Sequence, residues 1–354
     1  MKQTIRIMLV FSLVLTLVTV RTAMAGETAG QILAKLEKLS PEERKKVVIE
    51  GAKKEGEIII YTSMRQDQST PFSRRFNKRY PFLKVHTYRT ASSRQVAKVQ
   101  AEFNAGRHQV DVINGNAAAV YTIKGMGVLD PYHSPERKFF PASYKDKKGY
   151  FTPVYVIPVV LGYNPGLVKK GEAPKSYEEL LAPKWKGKML LDTDDYEWYI
   201  ALLTHFGREK GMQYMKSLAK QNLSMRRGRT LQTQLLMAGE QPIAIALHAH
   251  TVLDFKQKGA PIDWNILDPA IAKPNSITLP KYAPHPYAAA LFIDWSLSKE
   301  GQTMITTFGR VVARKGIKQR FPELQKVKYF LTHPDTIGPV LNPSIKEYQK
   351  IFMR

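Results

Sequence analysis

The sequence predicts an α/β protein made of two doubly wound units, and three observations carry that reading. Beyond a 25-residue leader 329 residues remain, more than one hydrophobic core usually serves, so two lobes are expected, each with its own core. Short apolar runs rich in isoleucine, valine and leucine alternate with segments of helical length, first over residues 56–113 and again over residues 188–247. Residues 153–165 and 276–280 then read as extended stretches that cross between the units.

The leader has a basic start at Lys2 and Arg6 and an apolar run over residues 7–20. It ends on the small-residue signal Ala23-Met24-Ala25, so cleavage after Ala25 and export to the periplasm are expected. The apolar run is shorter than the roughly 20 residues a bilayer crossing needs. Residues 26–55 form a helical extension: Ile32, Leu33, Leu36 and Leu39 make one stripe, and Ser40-Pro41-Glu42-Glu43 has the spacing of a capping box with proline at the first helical position.

In the first unit, strands are expected at residues 58–61, 83–88 and 111–113, with helices at 69–79 and 93–105. The second has strands at 188–191 and 243–247 with helices at 195–206 and 232–237, and residues 286–298 and 301–308 are helices that return to the first unit. Strands joined through helices pair in parallel, and an open parallel sheet takes its ligands at the carboxyl ends of its strands. Ser63, Ser92, Ser93 and Asn116 stand at such tips, beside N–H groups that suit a phosphate or carboxylate. Arg229 and Thr230, after Gly228, are their counterparts in the second unit, and His248 follows its buried strand.

Composition narrows the function. The chain has no cysteine, so it forms no disulfide and no thiolate metal site. Its formal charge of +24 falls to +21 once Lys2, Arg6 and Arg21 leave with the leader. The positive residues are scattered and no nucleic-acid motif accompanies them, so an anionic solute or surface is a better partner than nucleic acid. No G-x-S-x-G, H-E-x-x-H or G-x-x-x-x-G-K spacing is present, and no catalytic residue is assigned. His248-Ala249-His250 offers half of a transition-metal site that Asp192, Asp194 or Asp195 would have to complete; no metal ligand and no cofactor is expected. Tyr196, Trp198 and Tyr199 are divided between cleft wall and core, with Tyr196 taken as a contact.

Three stretches resemble the bacterial extracellular solute-binding proteins of the ferric-ion-binding type, a branch of the type II periplasmic binding-protein fold. They are Glu55-Gly56-Glu57-Ile58-Ile59-Ile60-Tyr61; Gly162-Tyr163-Asn164 with Leu-Leu-Ala-Pro-Lys-Trp-Lys-Gly over residues 180–187; and residues 279–302, with Phe292-Ile293-Asp294-Trp295 and Ser298-Lys299-Glu300-Gly301-Gln302. The resemblance implies two lobes, each a doubly wound sheet flanked by helices, that close on a small-molecule ligand and are read by an ABC permease in the inner membrane. It places the first lobe at 56–153 plus 282–354, the second at 164–275 and the hinge crossovers at 154–163 and 276–281. The protein is expected to act as a monomer and not as an enzyme. Ferric binders of this type place a histidine after the first strand, a glutamate at the second helix and a tyrosine pair in the second lobe. This chain has Arg65, Arg94 and His248-Ala249-His250 at those positions. Two arginines repel a trivalent cation, so the expected ligand is a carboxylate, phosphate ester, phosphonate or chelated metal. The alternatives are a ferric-ion-binding protein of iron uptake and, behind it, a periplasmic metal-dependent hydrolase.

Overall fold

A computed structural model describes residues 27–353; the leader and its cleavage point lie outside the described residues. The chain enters through α1 (Ala29–Ala34) and α2 (Pro41–Glu55). The expected capping box forms: Ser40 Oγ accepts from the Glu43 N–H and Glu43 Oε2 accepts from the Ser40 N–H, so two N–H groups beyond the reach of helix carbonyls are satisfied. Leu33, Leu36, Val48 and Ala52 are buried in the core of the first half of the molecule, while Ile32 and Leu39 are half-buried.

There β1 (Glu57–Thr62), α3 (Gln66–Arg79), β2 (Lys84–Arg89), α4 (Ser92–Asn104) and β3 (Val112–Asn116) alternate as the sequence predicts. The helix α5 (Ala117–Gly125) and the short β4 (Leu129–Asp130) follow. β1 lies between β2 and β3 and runs parallel to both. The sequence reading has no counterpart of α5, because its Ala117-Ala118-Ala119-Val120 start carries no polar stripe to mark a helical period.

The long β5 (Thr152–Tyr163) leaves this half. A second alternation follows: β6 (Met189–Asp192), α6 (Tyr196–Phe206), α7 (Arg208–Ala219), β7 (Ser224–Arg226), α8 (Arg229–Met237), β8 (Ile243–His248), α9 (Ala249–Gln257) and β9 (Asp263–Asn265). β6 lies between β7 and β8, again parallel to both. β10 (Ile271–Pro280) then returns, antiparallel to β5 and β3. The strand order β2-β1-β3-β10-β5-β8-β6-β7 gives two half-sheets of the same plan, joined by the β5/β10 ladder from Ala272↔Pro158 to Ile277↔Thr152. The second crossing starts at Ile271, five residues before the expected 276, and every residue of β10 is buried.

Beyond it come α10 (Pro286–Leu297), α11 (Lys299–Thr307), α12 (Pro322–Gln325), β11 (Phe330–Leu331), α13 (Pro334–Ile337) and α14 (Leu341–Phe352). α10 packs on α2 and α11 on α3, with Phe76 meeting Phe292 edge to face at 4.9 Å. The last stretch departs from the expected assignment of 282–354 to the first lobe. α14 packs on α6 and α7, and Tyr348 and Phe352 join the second half's core beside Trp198 and Tyr199. The cause is the apolar face of α6, which the second half's own elements leave partly uncovered and which Tyr348 closes at 5.5 Å from Tyr199, edge to face.

A buried acid ties the start of β1 to the entry of α10. Asp111 accepts from the Ile59 N–H and the His285 N–H, each at 2.7 Å, and faces His285 Nδ1 at 3.0 Å. The bond to Asp111 raises the His285 pKa above the ordinary histidine value against the opposing effect of burial. A raised folded-state pKa adds stability that is fully present below the ordinary value and is lost as pH rises through the folded value. His285→Gln is therefore expected to cost more at about pH 5.5 than at about pH 8, by roughly 0.5–1 kcal/mol in urea unfolding, since the ring keeps an edge in water. Equal costs at both pH values would reduce the pair to a neutral hydrogen bond.

Candidate functional site

The carboxyl ends of the parallel strands in both halves open on one cleft of about 340 Å³. Its floor is the β5/β10 ladder, with Tyr155, Ile157, Lys273, Pro274 and Asn275 in the lining. Eight of the expected contacts meet there: Ser63, Arg65, Ser92, Asn116, Tyr196, Arg229, Thr230 and His248. Ser93 and Arg94 do not join them. Both are exposed, and Arg94 Nε turns back to donate to Thr90 Oγ1 at 3.2 Å, so Arg94 supplies no charge to the lining.

On the first wall the N-termini of α3 and α4 have no side-chain cap, while that of α5 does. Ala91, not a serine, is the N-cap of α4, and no side chain caps that helix. Ser92 instead accepts from the Asn116 N–H at 3.3 Å, and Asn116 caps α5 by accepting from the Ala119 N–H at 3.1 Å. α3 is likewise uncapped at Arg65, whose guanidinium forms a fork onto Asp67 at 3.0 and 2.6 Å. Ser63 Oγ accepts from Asn275 Nδ2 at 3.0 Å. Uncapped helix ends bring partial positive charge to the cleft, and Arg89 adds a full one.

The second wall is built on a buried charge network. Asp195, 1% exposed, accepts on Oδ1 from Lys273 Nζ and, at 2.6 Å, from Arg229 Nη2. Burial alone raises its pKa; Arg229 and Lys273 outweigh burial and hold it below the usual carboxylate range. Burial pushes Asp192 up to about 7 although Arg229 lies 3.6 Å away, and burial also raises Glu197. Arg229 Nε donates to the Ala246 carbonyl at 3.3 Å. Ala246 reaches that orientation at a φ of +60°, a left-handed conformation uncommon for a residue with a Cβ and a mark of strain held at a site.

The histidines are not arranged as two residues on one strand face. β8 ends at His248, His250 lies in the first turn of α9, and their rings stack at 5.6 Å. Burial drives both pKa values well below the ordinary histidine value, so both rings are neutral. Among the described residues no group of three histidine, aspartate or glutamate side chains is placed to hold a metal ion.

Lys273, Asn275, Arg89 and Arg310 are lining residues absent from the sequence-based set. Arg310, 5% exposed, lies 4.7 Å above the Tyr155 ring and donates to Gln68 Oε1 at 3.1 and 2.9 Å; among the described residues no carboxylate pairs with it. A lone lysine in Ile271-Ala272-Lys273-Pro274 and a lone arginine in Gly309-Arg310-Val311-Val312 are signals the sequence does contain, because a charge flanked by core residues is paired or functional.

The profile of the bacterial extracellular solute-binding protein family matches residues 107–330. An uncharacterised protein of Haemophilus influenzae is 26% identical over 269 residues, covering 72% of this chain and 76% of its own length. A probable ABC transporter periplasmic-binding protein of Sinorhizobium fredii, y4fP, is 32% identical over 84 residues, covering 23% and 24%. Among solved structures, the periplasmic binding protein AfuA of Actinobacillus pleuropneumoniae with fructose-6-phosphate bound superposes with a TM-score of 0.73 at 23% identity, covering 84% of this chain and 99% of its own. Iron-bound HitA of Pseudomonas aeruginosa does so with a TM-score of 0.72 at 18% identity, covering 84% and 98%. These neighbours are two-lobed periplasmic binding proteins, which makes the two half-sheets two lobes and the ladder between them the joint. The chain belongs to the bacterial extracellular solute-binding protein family, a family of binding and transport proteins, as a periplasmic solute-binding protein of the ABC-transporter type whose relatives bind solutes for delivery to a permease.

Proposed function

We propose that the cleft holds a small anion, such as a carboxylate, phosphate ester or phosphonate, or a metal carried by an anionic chelator, and that the protein delivers it as a monomer to a permease in the inner membrane. The single observation that carries this reading is Arg310, a buried guanidinium in the cleft wall whose partner is a neutral amide and an aromatic ring. A buried cation is costly without a counter-charge, and a ligand anion supplies one. Five lining cations, Arg65, Arg89, Arg229, Lys273 and Arg310, stand against three lining carboxylates, Asp194, Asp195 and Glu197, and both histidines are neutral. Bare ferric ion is disfavoured by the same set, because Asp195 already holds two cations.

Calorimetric titration of the mature protein with citrate, inorganic phosphate, short phosphate esters, phosphonates and ferric chloride tests the proposal. Saturable heat is expected from at least one anion, with metal-free solutions. Tight binding of ferric ion alone, unaffected by added anion, would falsify it.

A further inference from the structure

Glutamine stands at position 68, where two electrostatic effects favour glutamate. Gln68 is the third residue of α3, whose N-terminus has no side-chain cap, and a carboxylate in the first turn of a helix is stabilised by the partial positive charge of that end. Its side chain is buried at 4% exposure, and its Oε1 accepts from both Nε and Nη2 of Arg310, at 3.1 and 2.9 Å. A buried guanidinium that brings two nitrogens to one side chain is the ordinary setting for a carboxylate, which would cancel its charge. Glutamate has the length and shape of glutamine, so space does not impose the neutral amide.

The other surroundings leave the Arg310 charge unpaired. The carboxylates whose charge reaches it, Asp67 and Asp254, each hold another arginine, Arg65 at 2.6 Å and Arg320 at 3.0 Å. Gln68 Nε2 donates to the Phe308 carbonyl at 3.5 Å, which turns Oε1 toward the guanidinium. The two bonds to Gln68 take up one edge of Arg310 and leave the N–H groups of Nη1 outside them. Among the described residues Nη1 is not one of the enclosed atoms without a partner, and Arg310 lines the cleft, so this outer edge is open to it.

We infer that Gln68 is a positioning residue of the cleft: its neutral amide holds Arg310 by the inner edge and leaves the outer edge and the whole charge to an anionic ligand. The inference rests on the anion reading of the same cleft and adds the residue that keeps the cleft selective for anions. Gln68 acts through Arg310 and is not itself in the lining. A carboxylate in its place would pair with the arginine from inside, and a ligand anion would then compete with a counter-charge already present.

The test compares Gln68→Glu and Gln68→Met with wild type, by urea unfolding and by calorimetric titration of the mature proteins with citrate, inorganic phosphate, short phosphate esters and phosphonates. Gln68→Glu gains an internal ion pair, so it is expected to unfold at equal or higher urea concentration than wild type. It is expected to bind the anion that titrates wild type about tenfold to a hundredfold more weakly, the loss of a hydrogen bond to a charged group. Gln68→Met removes the acceptor and adds no charge. It is expected to unfold at lower urea concentration yet to bind more tightly than Gln68→Glu, so that the more stable variant is the weaker binder. Should Gln68→Met not fold, Gln68→Glu against wild type decides alone. Affinity that follows stability across the variants is the mark of a glutamine with a structural role and overturns the inference. Gln68→Glu binding as tightly as wild type, or unfolding at lower urea concentration, also overturns it and leaves the anion reading standing. No binding by wild type across the panel overturns both.

Discussion

Asp195→Leu is expected to cost about 3–5 kcal/mol of folding stability, the usual loss when one partner of a buried ion pair is removed and its counter-charges remain. The number follows from position. Asp195 is fully enclosed, its Oδ1 meets Lys273 and Arg229, and Lys273 is itself 6% exposed in a strand with no exposed residue. Burial lowers the Lys273 pKa, so loss of the aspartate leaves the lysine the choice between an unpaired charge and a shed proton. Asp195→Asn keeps the shape and isolates the charge, and Asp195→Leu with Lys273→Met is expected to recover part of the loss, because two unpaired charges then become one. Urea unfolding of Asp195→Leu, Lys273→Met and the double variant gives the coupling energy directly. Losses that add without coupling would show that the lysine finds another partner, with Glu197 the nearest candidate in charge.

Arg310→Met is expected to move affinity and stability in opposite directions. The guanidinium is buried, bonded to a neutral Gln68 and facing the cleft, so the protein carries its desolvation without an ion pair. Methionine fills the space over Tyr155 and removes that cost, so unfolding is expected to shift to equal or higher urea concentration. Binding of the anion that titrates the wild type is expected to weaken by about 1.5–3 kcal/mol, the range for a hydrogen bond to a charged group. A structural arginine would behave otherwise: the variant would lose stability and keep its affinity. Calorimetry and urea unfolding on one preparation separate the two cases.

The strands that join the lobes also make the floor of the cleft, which couples ligand contact to the joint. Lys273 and Asn275 project from β10 into the lining, and Tyr155 and Ile157 do so from β5, in the ladder that links the half-sheets. A ligand held on these side chains would rest on the two strands that link the half-sheets.

Much of this was legible in the chain itself. Apolar runs located β1, β3, β6 and β8 to within a few residues, because a strand covered on both faces has to be apolar along its length, and the exposed edge strand β2 was found beside them. The capping box at Ser40 and Glu43 needed only local chemistry and formed as written. Strand tips identified Ser63, Ser92, Asn116, Arg229, Thr230 and His248, since a parallel sheet brings those ends to one side whatever the details of packing. What only the tertiary structure decided were relations between segments distant in the chain. The family resemblance put Arg94 at a ligand position, yet a helical turn lets it fold back on Thr90, and the lining gains Arg89 and Arg310 instead, the latter more than 200 residues on. The attachment of α14 to the second lobe depends on an uncovered face of α6 that exists only once both are folded. The pairing of Asp195 with Lys273 across 78 positions follows from the antiparallel crossing of β5 and β10. Local patterns fix the elements because backbone periodicity is local; the charges of the cleft are set by which elements meet, and hydrophobic burial, which has no direction of its own, settles that only in the assembled fold.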